Sequence, residues 1–150
     1  MDENFFSNRD WAYLIVSTLT IFIALGTFIW RLRVDSKIAK YRETLAYLDK
    51  RYDTLNQEWS VIEGGDATLK NKKDYLNRLE HISHLVNEKV FSDQLIYNSL
   101  WMHFCYPLQR DDLSTLIGEL KKTDKKVLVH YLKLSKKWFP TIIREQGLIK

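Results

Sequence analysis

The chain of 150 residues is poor in cysteine, proline and glycine, with one, two and five copies respectively. The single cysteine, Cys105, has no partner for an intramolecular disulfide, which is typical of a domain in a reducing cytoplasm. Helix breakers this rare, together with little β-type alternation, predict an all-α fold. The chain also lacks a glycine-rich phosphate loop, a CxxC pair and a nucleophile elbow, so we expect neither enzymatic activity nor a cofactor.

Charge is absent from residues 11–30, a run of twenty residues. As a helix this run reaches about 30 Å, which matches the hydrocarbon core of a bilayer, so we predict one transmembrane helix there. A cleaved signal peptide is the alternative reading. It would begin with basic residues and end at a small-x-small cleavage site, whereas this chain begins acidic and the run is followed by Arg31-Leu32-Arg33.

Charges on the two sides of the apolar run differ in sign. Residues 1–10, the predicted extracytoplasmic tail, contain three acids and one base. The bases that follow the run, against the single acid Asp35, are Arg31, Arg33, Lys37, Lys40 and Arg42. Because positive flanks stay in the cytoplasm, we predict a single-pass protein with its N-terminus outside and its C-terminal part inside.

The part of the chain after the apolar run is basic. Residues 31–150 hold 22 Lys and Arg against 16 Asp and Glu, a net charge of +6. Such a balance suits an anionic partner, whether lipid headgroups, nucleic acid or a nucleotide. Simple solubility is the plainer interpretation of the same charge.

A heptad pattern follows the apolar run and predicts a stalk helix over residues 31–63. The apolar positions, spaced alternately by four and three, are Val34, Ile38, Tyr41, Leu45, Leu48, Tyr52, Leu55, Trp59 and Ile62. In the membrane the same phase continues through Ser17, Thr20, Ala24 and Thr27, which are small or hydroxyl residues. The stripe predicts either self-association, as a tetramer or larger homo-oligomer, or packing on the chain's own domain.

Residues 66–150 are predicted to form a small cytosolic helical bundle. Gly64-Gly65 should end the stalk, and Asp66 should cap the next helix. The predicted helices run from about Leu69 to Lys89, from the cap Ser92 to Pro107, from Asp111 or Asp112 through Leu120, and from Asp124 to Pro140.

The stretch from Leu76 to Phe104 resembles a bacterial domain-of-unknown-function family that joins a membrane helix to a helical domain. The residues that carry the resemblance are Asn77, Leu79, Glu80, Phe91, Asp93 and Trp101. The segment from Tyr131 to Trp138 resembles the closing segment of that family. The resemblance implies a fold and a bacterial inner-membrane location, and it names no chemistry.

The layout of the chain is similar to that of small CRISPR-associated membrane effectors, which join an N-terminal span to a basic helical cytosolic domain of this size. In one such group the cytosolic domain assembles as a tetramer and binds cyclic tetra-adenylate, and activation harms the membrane. This resemblance implies an antiviral effector that binds a cyclic oligoadenylate. The alternative is a non-enzymatic membrane scaffold or phage-exclusion protein that binds a protein partner.

A candidate anion site lies around the predicted turn after Trp101, where aromatic rings, a histidine and an arginine precede a helix N-terminus. Aromatic rings stack bases, and arginine and helix N-termini bind phosphate. The candidate ligand-binding residues are Trp101, His103, Tyr106, Arg110, Lys121, Lys122, Lys125 and Lys126. The alternative is that the aromatics belong to the core and the lysines to a solvated turn.

Two other constellations are weaker. His81, His84, His103 and Cys105 match no zinc spacing, so we predict no metal site. Arg78 and His84 form an R-x5-H pattern, superficially like that of a class of helical ribonucleases, but six residues place the two side chains about 120° apart round a helix. Because the two side chains do not share a face, a membrane-tethered ribonuclease ranks only third among the hypotheses.

Overall fold

The computed structural model describes the backbone of residues 8–146 and the side chains of residues 9–140. Over this range the chain is all-α, as predicted, and no strand occurs within it. The helices are α1 (Asn8–Glu63), α2 (Leu69–Asn87), α3 (Asp93–Gln109), α4 (Asp111–Thr123) and α5 (Val129–Gln146). Most of the predicted tail, residues 1–7, lies outside the described part. The chain divides into two compact units, Met1–Ala39 and Lys40–Lys150.

In the first unit, α1 carries an apolar segment that is long and apolar enough to cross a membrane. From Trp11 to Leu32 every side chain is exposed, and Phe22 and Trp30 are more than 60% exposed. Apolar surface of this extent without a protein cover is what a lipid-facing helix presents. The hydroxyls of Thr20 and Thr27 donate to backbone carbonyls of their own helix, those of Val16 and Ala24.

In the second unit, residues 40–63 of α1 pack with α2 to α5 around one apolar core. Its fully buried members come from all five helices and the α4–α5 connection, and they include Leu55, Ile62, Tyr75, Leu76, Leu79, Ile82, Ile96, Leu100, Phe104, Leu113, Leu128 and Tyr131. Burial of this apolar surface is the main stabilising term of the bundle.

The heptad stripe of α1 divides between core and surface. Leu48, Leu55 and Ile62 are buried, so this part of the stripe packs on the chain's own domain. Tyr41 and Leu45 are exposed at 45% and 52% and are left without an apolar cover. Of the two alternatives, packing on the domain therefore accounts for one part of the stripe, and self-association stays a prediction for the other.

The predicted end of α1, the predicted cap of α3 and the predicted start of α4 at Asp111 are confirmed, whereas the predicted cap of α2 is wrong. Gly65, with φ of 88°, follows the end of α1, and the Ser92 hydroxyl accepts from Leu95 N–H to cap α3. The cap of α2 is Thr68, whose Oγ1 accepts from Asn71 N–H, and not Asp66. Thr68 has extended backbone angles, as a capping residue needs.

Neither proline ends its helix, contrary to the prediction. Pro107 lies buried in the last turn of α3, which runs on to Gln109. One turn before it, the Phe104 carbonyl accepts from the Tyr131 hydroxyl at 3.0 Å and from Ser135 Oγ at 3.2 Å, so α5 is bonded to α3 near the proline. Pro140 lies inside α5.

The N-terminus of α5 also differs from the prediction, because the helix begins at Val129 rather than at Asp124. Leu128 precedes it with φ of 57° and turns its side chain into the core. Asp124 instead stabilises the connection between α4 and α5, since its Oδ1 accepts from Lys126 N–H at 2.8 Å.

Side chains of α2 and α3 bond α5 across the bundle, and one of them replaces a local cap. Glu80 of α2 accepts from the N–H groups of His130 and Tyr131 in the first turn of α5. Asp93 of α3 accepts from Trp138 Nε1–H at 2.9 Å. Glu80, Asp93 and Trp138 thus have structural roles in joining α5 to the bundle.

Candidate functional site

Three partly exposed aromatic rings lie together where α1 meets α3, and we call Trp59, Trp101 and Tyr106 the aromatic patch. The ring centroids of Trp101 and Tyr106 are 6.0 Å apart, and those of Trp59 and Tyr106 are 6.1 Å apart. Tyr106 is 37% exposed, and both tryptophans are half-buried. The patch offers flat apolar surface with polar edges at the boundary of the core.

His103, predicted to face a ligand, lies in the core beneath this patch at 3% exposure. Its Nε2 lies 3.0 Å from Asn56 Oδ1, an acceptor, so Nε2 carries the proton, and Nδ1 accepts from the Tyr75 hydroxyl at 2.8 Å. Burial lowers the pKa of His103 to about 4 and raises that of Tyr75. Both ring nitrogens are thus used inside the protein, and this histidine joins α1, α2 and α3.

Arg110, one turn after Tyr106, forms part of an ion cluster with Asp112 and Lys72. Arg110 Nε lies 2.8 Å from Asp112 Oδ1, and Lys72 Nζ lies 2.7 Å from Oδ2. The hydrogen bond from Lys72, followed by that from Arg110, lowers the pKa of Asp112. Asp112 Oδ1 also accepts from Leu113 N–H at 3.0 Å. The chain's own carboxylate therefore occupies part of the α4 N-terminus that was predicted to receive a ligand.

The four predicted lysines lie elsewhere. Lys121 and Lys122 are in the last turn of α4, and Lys125 and Lys126 are in the connection that follows. Arg110 to Lys121 is about 16 Å along the helix axis at 1.5 Å per residue. All four lysines are exposed, and none forms an ion pair with a described side chain. The structure thus brings Trp101 and Tyr106 together, places Arg110 one turn after Tyr106 with its side chain on Asp112, and puts the lysines at the far end of α4.

The weaker constellations do not converge. Arg78 Nε lies 3.0 Å from Glu58 Oε1 on α1, whereas the His84 ring packs against His130 of α5 with centroids 4.6 Å apart. Burial is the largest cause of the raised pKa of Glu58. Cys105 is buried, and its pKa is raised to about 11, which keeps the thiol protonated. Among the described residues no three His, Cys, Asp or Glu side chains form a metal-type group.

Sequence reasoning missed three members of the site. Trp59 was assigned to the heptad stripe alone, and Asp112 was considered as the start of a helix. Lys72 is 40 positions from its partner Asp112, and local spacing carries no signal for a contact of that range.

Comparison with known proteins gives no relative. No family model, curated protein or solved structure matches the chain. The resemblances to a domain-of-unknown-function family and to CRISPR-associated membrane effectors therefore stay proposals.

Proposed function

We propose that this protein is a membrane-anchored, non-enzymatic effector whose basic helical domain binds an anionic nucleotide. The observation that carries the proposal is the aromatic patch, because Trp101 and Tyr106 offer partly exposed rings to a base, and the cation Arg110 follows Tyr106 by four residues. Following the resemblance in layout to CRISPR-associated membrane effectors, the ligand is a cyclic oligoadenylate and the role is antiviral defence.

The charges beside the patch support this ligand class. Lys72 and Arg110 share one carboxylate, that of Asp112, so the cluster of three carries one excess positive charge. Arg110 uses its Nε toward Asp112, and its terminal guanidinium nitrogens are available to a phosphate. The exposed carboxylate of Asp111 opposes an anion at this place, and it therefore offers a direct test of the electrostatic argument.

The patch also supports a signalling role, because Trp59 belongs to α1. A ligand on the patch contacts the same helix that carries the candidate membrane span. For binding to act on the membrane, the ligand must bind one arrangement of α1 more tightly than another. In this proposal the protein acts as a homo-oligomer, a tetramer or larger, and its activation perturbs the bilayer.

Titration calorimetry tests the proposal on the full chain in an uncharged detergent, with cyclic tetra-adenylate, linear tetra-adenylate and ATP as ligands. We expect a dissociation constant on the order of 10 µM for the cyclic ligand. Trp101→Ala and Arg110→Gln should each weaken binding about tenfold, the loss of one stacking or phosphate contact. Lys133→Gln, an exposed cation on α5, is the matched control. If none of the three nucleotides binds, the proposal is overturned.

A second function, a scaffold that binds a protein partner, is favoured by a different surface. A groove of about 640 Å³ beside α1 is lined by the apolar residues Leu45, Leu48 and Tyr52, with Asp49, Asp53 and Ser99 at its edges. Crosslinking in cells that recovers one stoichiometric protein partner, lost in Leu45→Glu and unaffected by nucleotide, would favour the scaffold over the effector.

A further inference from the structure

The first unit carries a cationic face at the end of the candidate membrane span. Arg33 and Lys37 are four residues apart on α1 and therefore lie on one side of the helix, and Trp30 is one turn before Arg33 on the same side. All three side chains are exposed, with Trp30 at 68%. Neither cation forms an ion pair with any described side chain.

The acid of this segment lies on the opposite side. Asp35 is two residues from both Arg33 and Lys37, and two residues turn a helix by about 200°. Arg31, four residues before Asp35, shares its side. Arg33 and Lys37 therefore have no carboxylate on their side of this segment, whereas Arg31 shares its side with Asp35.

A surface hollow of about 710 Å³ runs along this face, with Trp30, Arg33, Ser36 and Lys37 among its lining residues. It combines a guanidinium, which binds phosphate in bidentate fashion, with an ammonium and a hydroxyl donor. Trp30 is an aromatic ring of the kind that settles at the level of lipid headgroups. Hydrogen-bond donors for a phosphate, on Arg33, Ser36 and Lys37, thus line the same hollow as the Trp30 ring.

We propose that Arg33, Ser36 and Lys37 bind the phosphate of an anionic phospholipid headgroup, with Trp30 packed against the glycerol region below it. The occupant is a lipid rather than a free phosphate because the hollow continues from these donors onto Trp30 and Ile29, which belong to the apolar run. The site is independent of the aromatic patch and rests on the placement of residues 11–30 in the bilayer.

Native mass spectrometry of the full chain in an uncharged detergent tests this site, with phosphatidylglycerol, phosphatidylcholine and inorganic phosphate as probes. We expect retention of phosphatidylglycerol and no retention of the other two. The double variant Arg33→Gln, Lys37→Gln should weaken phosphatidylglycerol binding about tenfold or more, since a basic residue near an anionic surface contributes about 1 kcal/mol.

The double variant Arg31→Gln, Arg42→Gln is the matched control, because it removes the same net charge from the other side of the helix. We expect it to change binding less than twofold. Equal losses in the two double variants would overturn the proposal by showing that net charge alone attracts the lipid. Equal retention of phosphatidylcholine, or no retention of phosphatidylglycerol, would overturn it as well. Nucleotide binding at the aromatic patch is measured separately, so either proposal can fail while the other stands.

Discussion

The carboxylate of Glu80 on α2 accepts a hydrogen bond from the backbone N–H of Tyr131 at 2.7 Å, across 51 positions of the chain. Its other oxygen accepts from His130 N–H at 3.1 Å. The first N–H groups of a helix have no partner within it, and a negative charge beside them is favourable. Glu80 therefore caps α5 from a different helix.

Replacing Glu80 by glutamine should destabilise the bundle, because the two N–H groups bond different oxygens and the amide sets an NH2 donor against one of them. We expect a loss of about 1–2 kcal/mol in the free energy of unfolding, measured by urea denaturation of the full chain in uncharged detergent. Glu119→Gln, an exposed position on α4, is the control and should change stability by less than about 0.5 kcal/mol. Equal effects at the two positions would contradict the capping role.

Acid should destabilise the bundle through His103. The pKa of this buried imidazole is lowered from 6.5 to about 4, so between these values the unfolded chain takes up a proton that the folded chain does not. The contribution is fully present above pH 6.5, decreases as the pH falls to about 4, and amounts to about 3 kcal/mol at most.

Unfolding of the wild type and of His103→Gln at several pH values measures this contribution. The variant is less stable at pH 7, and we expect its curve to approach that of the wild type as the pH falls from 6.5 to 4. Parallel curves over this range would show that His103 is not the titrating group.

The hydrogen bond between Trp138 and Asp93 should contribute measurably to stability. Trp138→Phe removes the indole N–H but keeps a ring beside Phe104, whose centroid is 4.9 Å from that of Trp138. We expect a loss of about 1 kcal/mol for this variant, against about 3–5 kcal/mol for Trp138→Ala, which also leaves a cavity. Thermal unfolding distinguishes the two variants, and a Trp138→Phe variant as stable as the wild type would mean that the bond contributes nothing.

Removing the exposed carboxylate of Asp111 should strengthen anion binding. Asp111 lies in the same turn as Asp112, one residue from Arg110, so Asp111→Asn leaves the ion cluster intact and raises the local positive charge by one. We expect affinity for cyclic tetra-adenylate to rise about threefold at low salt and the gain to shrink at high salt. Glu119→Asn, at the other end of α4, should leave the affinity unchanged.

Ala24→Leu tests whether the candidate span takes part in assembly. Ala24 lies on the small-residue face with Thr20 and Thr27, and its side chain is exposed in the single chain. A span that packs closely against other copies should lose its crosslinked oligomers when Ala24 becomes bulky. Leu25→Ile, on the neighbouring side, is the control, and oligomers that survive Ala24→Leu would show that the span is a plain anchor.

The helices of this chain could be read from the sequence because local chemistry defines most of them. The apolar spacing of α2 and the cap at Ser92 act within a few residues. The start of α5 could not be read, because the charge that caps it belongs to Glu80 in another helix. The two hydroxyl bonds from α5 to the Phe104 carbonyl are likewise long-range and carry no local sequence signal.

The candidate site was predictable in part for the same reason. Arg110 follows Tyr106 by four residues and its backbone N–H still bonds the Tyr106 carbonyl, so their proximity follows from local spacing at the end of α3. The burial of His103 does not follow from spacing, because it depends on Asn56 and Tyr75, 47 and 28 positions away. The sequence indicates Asp112 as a helix start. It does not indicate that Asp112 pairs with Lys72 and Arg110, and these pairs set the net charge of the site.

Among the polar contacts that attach α1 to the remainder of the bundle, two lie at different positions along its axis. Thr44 Oγ1 accepts from Ser92 N–H at 2.8 Å, and Asn56 accepts from His103 at 3.0 Å. The two positions are about 18 Å apart along the axis. Residues 44–56 of α1 therefore cannot rotate about their axis, or slide along it, without breaking both bonds or carrying α2 and α3 with them.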